Sequence, residues 1–428
     1  KRANFNVHVD QHGLDFFPDS SNIMVLGNDG GLYVSDDNAQ NWRHSKTLPI
    51  TQFYECEVSQ AQLDHYFGGT QDNGTVMSDH GMWGNWRRIL GGDGFHVIVD
   101  PEFPEIVYAE YQWGNLFRSN DGGNTFQWAR SGIDNEDRNN WNTPIELDPN
   151  NTSVLYYGSS RLYRSTNRAG EWTAISDDLT QGQHPSGSSK YGTITAIEVS
   201  PANSAIIWVG TDDGNVQVTL DGGTNWNLVS SQLPIRYISS IAADVTNPLK
   251  AYVTLSGYRR IDALPHVFLT EDGGQTWQPI SNNLPEVPVN EIIIDEAYPD
   301  QIYVATDLGV WHSTAPTFNW ERLGKNLPLT VITDLVIHQT TRTLIAATYG
   351  RSMHKFQLDA APPTFPEIEF TYAPFSISPN PVQSVAQIKF QKQITIPPQL
   401  KIFDISGQLI HQTQLLKNSK PLQLPSNI

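Results

Sequence analysis

Three acidic residues, Asp72, Asp93 and Glu110, lie in segments where carboxylates mix with aromatic rings (TQDNG, GGDGF, YAEYQWG). Two such carboxyls flanking a glycosidic bond can share its hydrolysis, one as general acid and the other as base or nucleophile. Around them the chain offers groups suited to holding a polyhydroxylated ligand: Tyr111, Trp113, Asp212, Tyr258, Arg259, Tyr349 and Arg351. The competing reading is that Asp-Gly and Asp-Asn are ordinary loop chemistry, and the sequence does not say which acids would pair. His8, Asp10 and His12 alternate, so a strand would put all three on one side. That spacing permits a metal site, but a polar strand edge is the favoured reading and no metal is expected. No nucleophile elbow is present, and no glycine-rich run opens a helix to cradle a phosphate. Cys56 sits inside the apolar-alternating run YECEVSQ and reads as a small core residue. No cofactor is expected.

The elements that must position these groups come from a repeat. Residues 119–126 read SNDGGNTF, 219–226 TLDGGTNW and 270–277 TEDGGQTW, with weaker copies at 35–42, 78–86, 165–172 and 313–320. Their closing aromatics are Trp42, Trp86, Phe126, Trp172, Trp226, Trp277 and Trp320. A period near 45 residues with four short strands per unit predicts an all-β propeller. Eight first strands can be counted but only seven fourth strands, because the last unit ends at RSMHKFQL (351–358). Either one blade of eight is short, or a seven-bladed ring is completed by NWRHS at 41–45. Within each box, Asp37, Asp121, Asp221 and Asp272 are placed to accept backbone N–H bonds across a tight turn. Trp42, Trp226 and Trp277 are placed to plug the gap between blades. These residues are expected to be structural.

Loop lengths distinguish the two faces. Connections between first and second strands are short and uniform, whereas 131–141, 177–192 and 256–266 are long insertions. In a four-stranded blade the long loops share one face, opposite the boxes. That loop-rich face is the candidate functional surface.

The boxes resemble the Asp-box repeats of sialidases, xyloglucanase-type glycosidases and sortilin-type receptors. The runs at 50–74, 91–123, 289–313 and 333–358 are more specifically similar to bacterial sortilin-like Asp-box (BNR) propeller proteins exported by type IX secretion. That resemblance implies a fold more strongly than an activity. After Leu358 the composition changes to a Pro-rich stretch, DAAPPTFPEIEFTYAPF. SISPNPVQSVAQIKF and LKIFDISGQLIHQTQL then resemble a type A sorting domain of type IX secretion cargo. Pro379, Asn380 and Pro381 match its PNP turn, and Asp404 and Gly407 match its second motif. Compared with that family the chain stops early, which reads as an incomplete β-sandwich module. The domains expected are a propeller over 1–358, a linker over 359–374 and the sorting-type module over 375–428.

The 428 residues carry a formal net charge of −18, which argues against nucleic acid as a partner. No apolar run is long enough to span a bilayer as a helix, and one cysteine excludes an intramolecular disulfide framework. The expectation is a secreted or cell-surface propeller that binds a glycan or an extracellular protein through its loop-rich face, and engages the type IX machinery through its C-terminal domain. The alternative is a glycoside hydrolase acting on a polysaccharide.

Overall fold

The structure, a computed structural model, describes residues 7–82, 85–183, 191–258 and 261–359, and the backbone of five strands between residues 375 and 423. The chain divides into two compact units, residues 1–361 and 362–428. In the first unit, Val, Ile and Tyr runs between Gly, Pro and Asn turns fold into eight antiparallel meander sheets. One is an N-terminal sheet, 11–44. The others are blades 1 to 7, spanning 53–90, 94–128, 145–174, 194–228, 237–279, 289–322 and 332–357.

The ring contains seven blades and closes between blade 7 and blade 1. Thr333 Oγ1 donates to the Phe53 carbonyl (3.1 Å), and Asp334 Oδ2 accepts the Cys56 N–H (2.7 Å). Gln60 extends the seam, donating to Ile337 O (3.0 Å) and accepting from Gln339 N (2.9 Å). The N-terminal sheet stands outside this circle, against the 71–74 turn of blade 1, through His8 Nε2 to Asp72 O (3.1 Å) and Asn73 Nδ2 to Asp29 O (2.9 Å). An eight-bladed ring is therefore excluded, and so is completion of blade 7 by residues 41–45. Arg43–His44 pairs with Tyr33 and Val34 of its own sheet, because the 35–42 turn closes locally, and blade 7 has three strands among the described residues.

A repeated device ties successive inner strands together. In blades 4 to 7 the inner strand carries one extra residue where its pairing register shifts. That residue is always polar, and it donates to the next inner strand: Thr195 to Ile238 O (2.6 Å), Ser239 to Val289 O (2.8 Å), Asn290 to Ile332 O (2.9 Å) and Thr333 to Phe53 O. A bulge normally leaves backbone unpaired, and here it aims a side chain across the blade boundary instead.

The apolar core lies between neighbouring blades. One cluster joins Trp208, Val216 and Val218 of blade 4 to Val253, Leu255 and Trp277 of blade 5. Box tryptophans lock these seams at the rim. Trp172, Trp226, Trp277 and Trp320 each donate Nε1–H to the residue just after the preceding blade's fourth strand: Ala129 (2.7 Å), Ile175 (3.1 Å), Val229 (2.8 Å) and Ile280 (2.9 Å). Trp86 follows blade 7, which has no fourth strand among the described residues, and its indole turns to the local Met82 carbonyl (3.0 Å). Trp42 belongs to the sheet outside the ring, and its buried Nε1 meets no acceptor.

Within a box, Asp121 Oδ1 accepts Asn124 N (3.1 Å) and Thr125 N (2.8 Å), while Ser119 Oγ accepts Gly123 N (2.9 Å). These hydrogen bonds hold the Asp121 carboxyl down at about 2, the Thr125 hydroxyl contributing most. Asp37, Asp221 and Asp272 make corresponding bonds to Asn41, Asn225 and Thr276. Inner blades approach so closely that side chains are excluded. A Cβ on Gly69 would lie 2.1 Å from the Phe95 carbonyl oxygen. Gly69→Ala is expected to cost about 1–3 kcal/mol, read as a lower denaturant midpoint.

The second unit contains a three-stranded sheet of Phe375–Ser378, Val385–Phe390 and Leu422–Gln423, and a hairpin of Gln399–Phe403 with Leu409–Gln414. Pro379, Asn380, Pro381, Asp404 and Gly407 lie outside the described residues.

Candidate functional site: the channel and its aromatic mouth

The two loop sets separate as their lengths predict. Box turns pack on the short first-to-second-strand connections, through Gly122 N to Glu105 O (2.8 Å), Gly222 N to Ala205 O (2.9 Å) and Gly273 N to Leu249 O (2.9 Å). Second-to-third-strand turns and the fourth-to-first insertions gather at the opposite end. There they surround the mouth of a central cavity of about 960 Å³ enclosed by the seven inner strands.

The cavity wall is acidic. Glu55 and Glu57 project from blade 1, Glu146 from blade 3, Glu198 from blade 4, Glu291 and Glu296 from blade 6 and Asp334 from blade 7, with no Lys or Arg among the described lining residues. Burial pushes Glu55 up to about 7 and Glu57 up to about 8. Burial raises Glu146, Glu198, Glu291 and Asp334 as well, and nearby carboxylates add to the effect. His96, 3.7 Å from Glu55, is driven down to about 4 by the same burial. Asp334 accepts Cys56 N–H and Glu198 accepts Ala243 N–H (2.8 Å), while Asn142 donates to Glu55 and Ser240 to Glu291. Alternation along YECEV, TAIEV and NEIII carried this signal in the sequence, yet such a pattern also describes a strand with one wet face.

Five aromatic rings cross the mouth in sequence. Tyr349 lies 6.0 Å from Tyr54, Tyr54 stacks on Phe95 (4.7 Å, 26°), Phe95 meets Trp141 edge-on (5.9 Å), and Trp141 meets Trp113 (4.9 Å, 85°). Trp141 is 39% exposed and Tyr349 40%, while Phe95 between them is fully buried and backs the arc, so open ring surface is presented at those two positions. Gln71 anchors one end by accepting from the hydroxyls of Tyr54 (3.1 Å) and Tyr349. Trp113 adopts a left-handed backbone (φ 69°) that lets its N–H reach the Trp141 carbonyl (3.1 Å). Tyr54, Phe95, Trp141 and Gln71 were not singled out from sequence, since Trp141 lies within an insertion and the others within strands or a turn.

The sequence candidates divide among different places. Asp72 and Asp93 sit together beside the arc, Asp72 N–H donating to Asp93 Oδ1 (3.0 Å). Burial raises the Asp93 carboxyl, and the Asp72 charge raises it further. Glu110 is elsewhere: it lies within the blade 2 packing with no exposed surface, and burial pushes its carboxyl well above the ordinary range. A reacting bond has no route to it. Tyr111 faces outward towards blade 1, against Phe117 (5.7 Å). Asp212 spends its oxygens on Gly192 N (3.0 Å), Thr193 N (2.9 Å) and Thr193 Oγ1 (3.1 Å), bracing a loop. Tyr258 stands 78% exposed at the rim, and Arg351 is exposed beside Tyr349. Arg259 lies outside the described residues. His8 turns to the Asp72 carbonyl while His12 pairs with Asp29, so His8, Asp10 and His12 do not converge. Among the described residues no group of three or more His, Cys, Asp or Glu side chains is arranged to hold a metal ion. Cys56 is buried and free.

Solved structures place this architecture among β-propellers. The GH74 xyloglucanase from Xanthomonas campestris superposes with a TM-score of 0.58 at 17% identity, covering 75% of this chain and 54% of that one. YCF48 from Cyanidioschyzon merolae superposes at 0.53 and 13% identity, covering 72% and 97%. Among curated proteins, an oligoxyloglucan-reducing end-specific xyloglucanase from Emericella nidulans is 22% identical over 207 residues, which are 45% of this chain and 24% of the relative. The chain thus matches about a quarter of that relative's length. Residues 376–426 match the secretion system C-terminal sorting domain family. The protein is a β-propeller with a type IX secretion sorting domain, and it is secreted or displayed at the cell surface. Among the described residues no helix is long and apolar enough to cross a membrane.

Proposed function

We propose that this exported propeller, built on Asp-box repeats, binds a glycan at the channel mouth on its loop-rich face. The observation carrying this reading is the arc Tyr349–Tyr54–Phe95–Trp141–Trp113. The part-exposed rings of Tyr349 and Trp141, backed by the buried Phe95, are suited to stack on the apolar faces of pyranoses, and Gln71, Asp72 and Asp93 beside them suit sugar hydroxyls. The xyloglucanase likeness supports a plant-type β-glucan as the first ligand to try. Titrating the protein with xyloglucan oligosaccharides is expected to give saturable binding that Trp141→Ala weakens about tenfold. Equal affinity in that variant would remove the arc from the site.

Hydrolysis is the second reading. It rests on the Asp72–Asp93 pair, where burial and a neighbouring charge favour one protonated carboxyl, the arrangement an acid–base pair needs. The binding reading predicts no new reducing ends from xyloglucan. Hydrolysis abolished by Asp93→Asn would install the enzyme reading in its place.

A further inference from the structure

A second run of aromatic rings leaves the mouth region along blade 2. Tyr111 lies 5.7 Å from Phe117, and Phe117 meets Trp128 edge-on at 5.3 Å. Trp128 sits on the outermost strand and is 53% exposed, with the Arg130 guanidinium 5.7 Å from its ring. Strand register puts the three on one face, because Phe117 is opposite both Ala109 and Trp128, and Tyr111 follows Ala109 by two.

The fold does not demand aromatics there. Residues at the same three register positions are Ser159, Tyr163 and Ala174 in blade 3, Thr211, Gln217 and Leu228 in blade 4, Leu255, Phe268 and Pro279 in blade 5, and Thr306, Trp311 and Arg322 in blade 6. Only blade 2 among these carries three rings. The facing turn is open at Gly91, whereas Gly92 packs its backbone so tightly on Tyr111 that a Cβ there would approach the Tyr111 Cβ to 2.7 Å. Arg87, on the neighbouring strand of blade 1, is committed to Gly123 O (3.4 Å) and Asn124 Oδ1 (3.0 Å). None of the three strip residues carries a charge, while the exposed Gln127 amide stands beside Trp128.

We propose that Tyr111, Phe117 and Trp128 form a secondary binding strip for a neutral polysaccharide chain, leading from the rim of blade 2 towards the channel mouth. This rests on the glycan reading of the mouth and extends it: the ligand is a polymer, and chain length sets affinity. Stacking suits a neutral pyranose backbone, and the cation beside the strip, Arg130, lies against the Trp128 and Tyr157 rings (5.7 and 5.6 Å).

Cellobiose and cellohexaose, titrated calorimetrically against the full chain, test this. Cellohexaose is expected to bind more tightly than cellobiose. Trp128→Ala should weaken cellohexaose about tenfold and leave cellobiose unchanged, whereas Trp141→Ala should weaken both. Phe117→Leu should reproduce the length-selective loss, and unchanged melting temperatures would exclude misfolding as its cause. Cellohexaose affinity unaltered by Trp128→Ala would overturn the strip and leave the mouth site standing. Failure of the wild type to bind either probe would overturn both.

Discussion

The melting temperature of the propeller is expected to fall as pH rises from about 5 to about 8. The channel acids have folded pKa values raised above their unfolded ones, so the native state binds more protons over this window. Their contribution is present below the unfolded value and is lost as pH climbs through the folded one, about 7 for Glu55 and about 8 for Glu57. Glu146, Glu198, Glu291 and Asp334 shift in the same direction. His96 acts oppositely. Its depressed value of about 4 favours the native state above the ordinary His range and withdraws that support as pH falls. Burial lowers His44, His312 and His338 in the same direction, so four imidazoles stand against seven channel acids, Glu296 included, and the carboxyls dominate between neutrality and pH 8. A tenfold difference in proton affinity between folded and unfolded chains is worth about 1.4 kcal/mol before screening by channel water. A loss of several degrees is therefore expected. Glu198→Gln keeps an acceptor for Ala243 N–H without a titrating group, so it should flatten the slope and raise stability at pH 8. A melting temperature that is flat or rising over this range would contradict the assignment.

Trp320→Ala is expected to be among the most damaging single substitutions, costing about 3–5 kcal/mol. The indole is 2% exposed, packs in the seam between blades 5 and 6, and satisfies the Ile280 carbonyl. Its removal leaves both a void and an orphaned acceptor in a ring where no blade can relax without straining its neighbours. Trp128→Ala deletes the same side chain from a half-exposed edge position, and should change stability by less than about 1 kcal/mol. Urea unfolding of the two variants makes the comparison. Equal losses would mean that the seams are not where the ring stores its stability.

Recurring Trp-terminated turns made the blades legible, because each box is a local structure whose Ser or Thr, Asp and Gly sit within a few residues of one another. Loop lengths likewise told the two faces apart. Closure was not legible: the bonds of Thr333 to Phe53 and of Cys56 to Asp334 span about 280 residues, and no motif announces them. Reading the 41–45 strand into blade 7 failed for the same reason, since a hairpin pairs with its nearest neighbour first. The site was only partly visible. Asp72, Asp93, Trp113 and Tyr349 do meet at the mouth, but Glu110 carries the same residue type as the channel acids and lies buried behind them. Strand alternation shows that a side chain leaves one face and does not show whether that face meets solvent, a channel or a neighbouring blade. Trp141 escaped notice because an insertion gives it no repeat position, although it is central to the arc.

The most direct test of the account is hydrogen exchange of the protein with and without a saturating xyloglucan oligosaccharide. Protection is expected in the turns at 71–74, 111–115 and 349–352 and in the 139–142 segment that carries Trp141. The box turns at 119–126, 219–226 and 270–277 should exchange at unchanged rates. Protection confined to the box turns, or none at the channel mouth under saturating ligand, would contradict it.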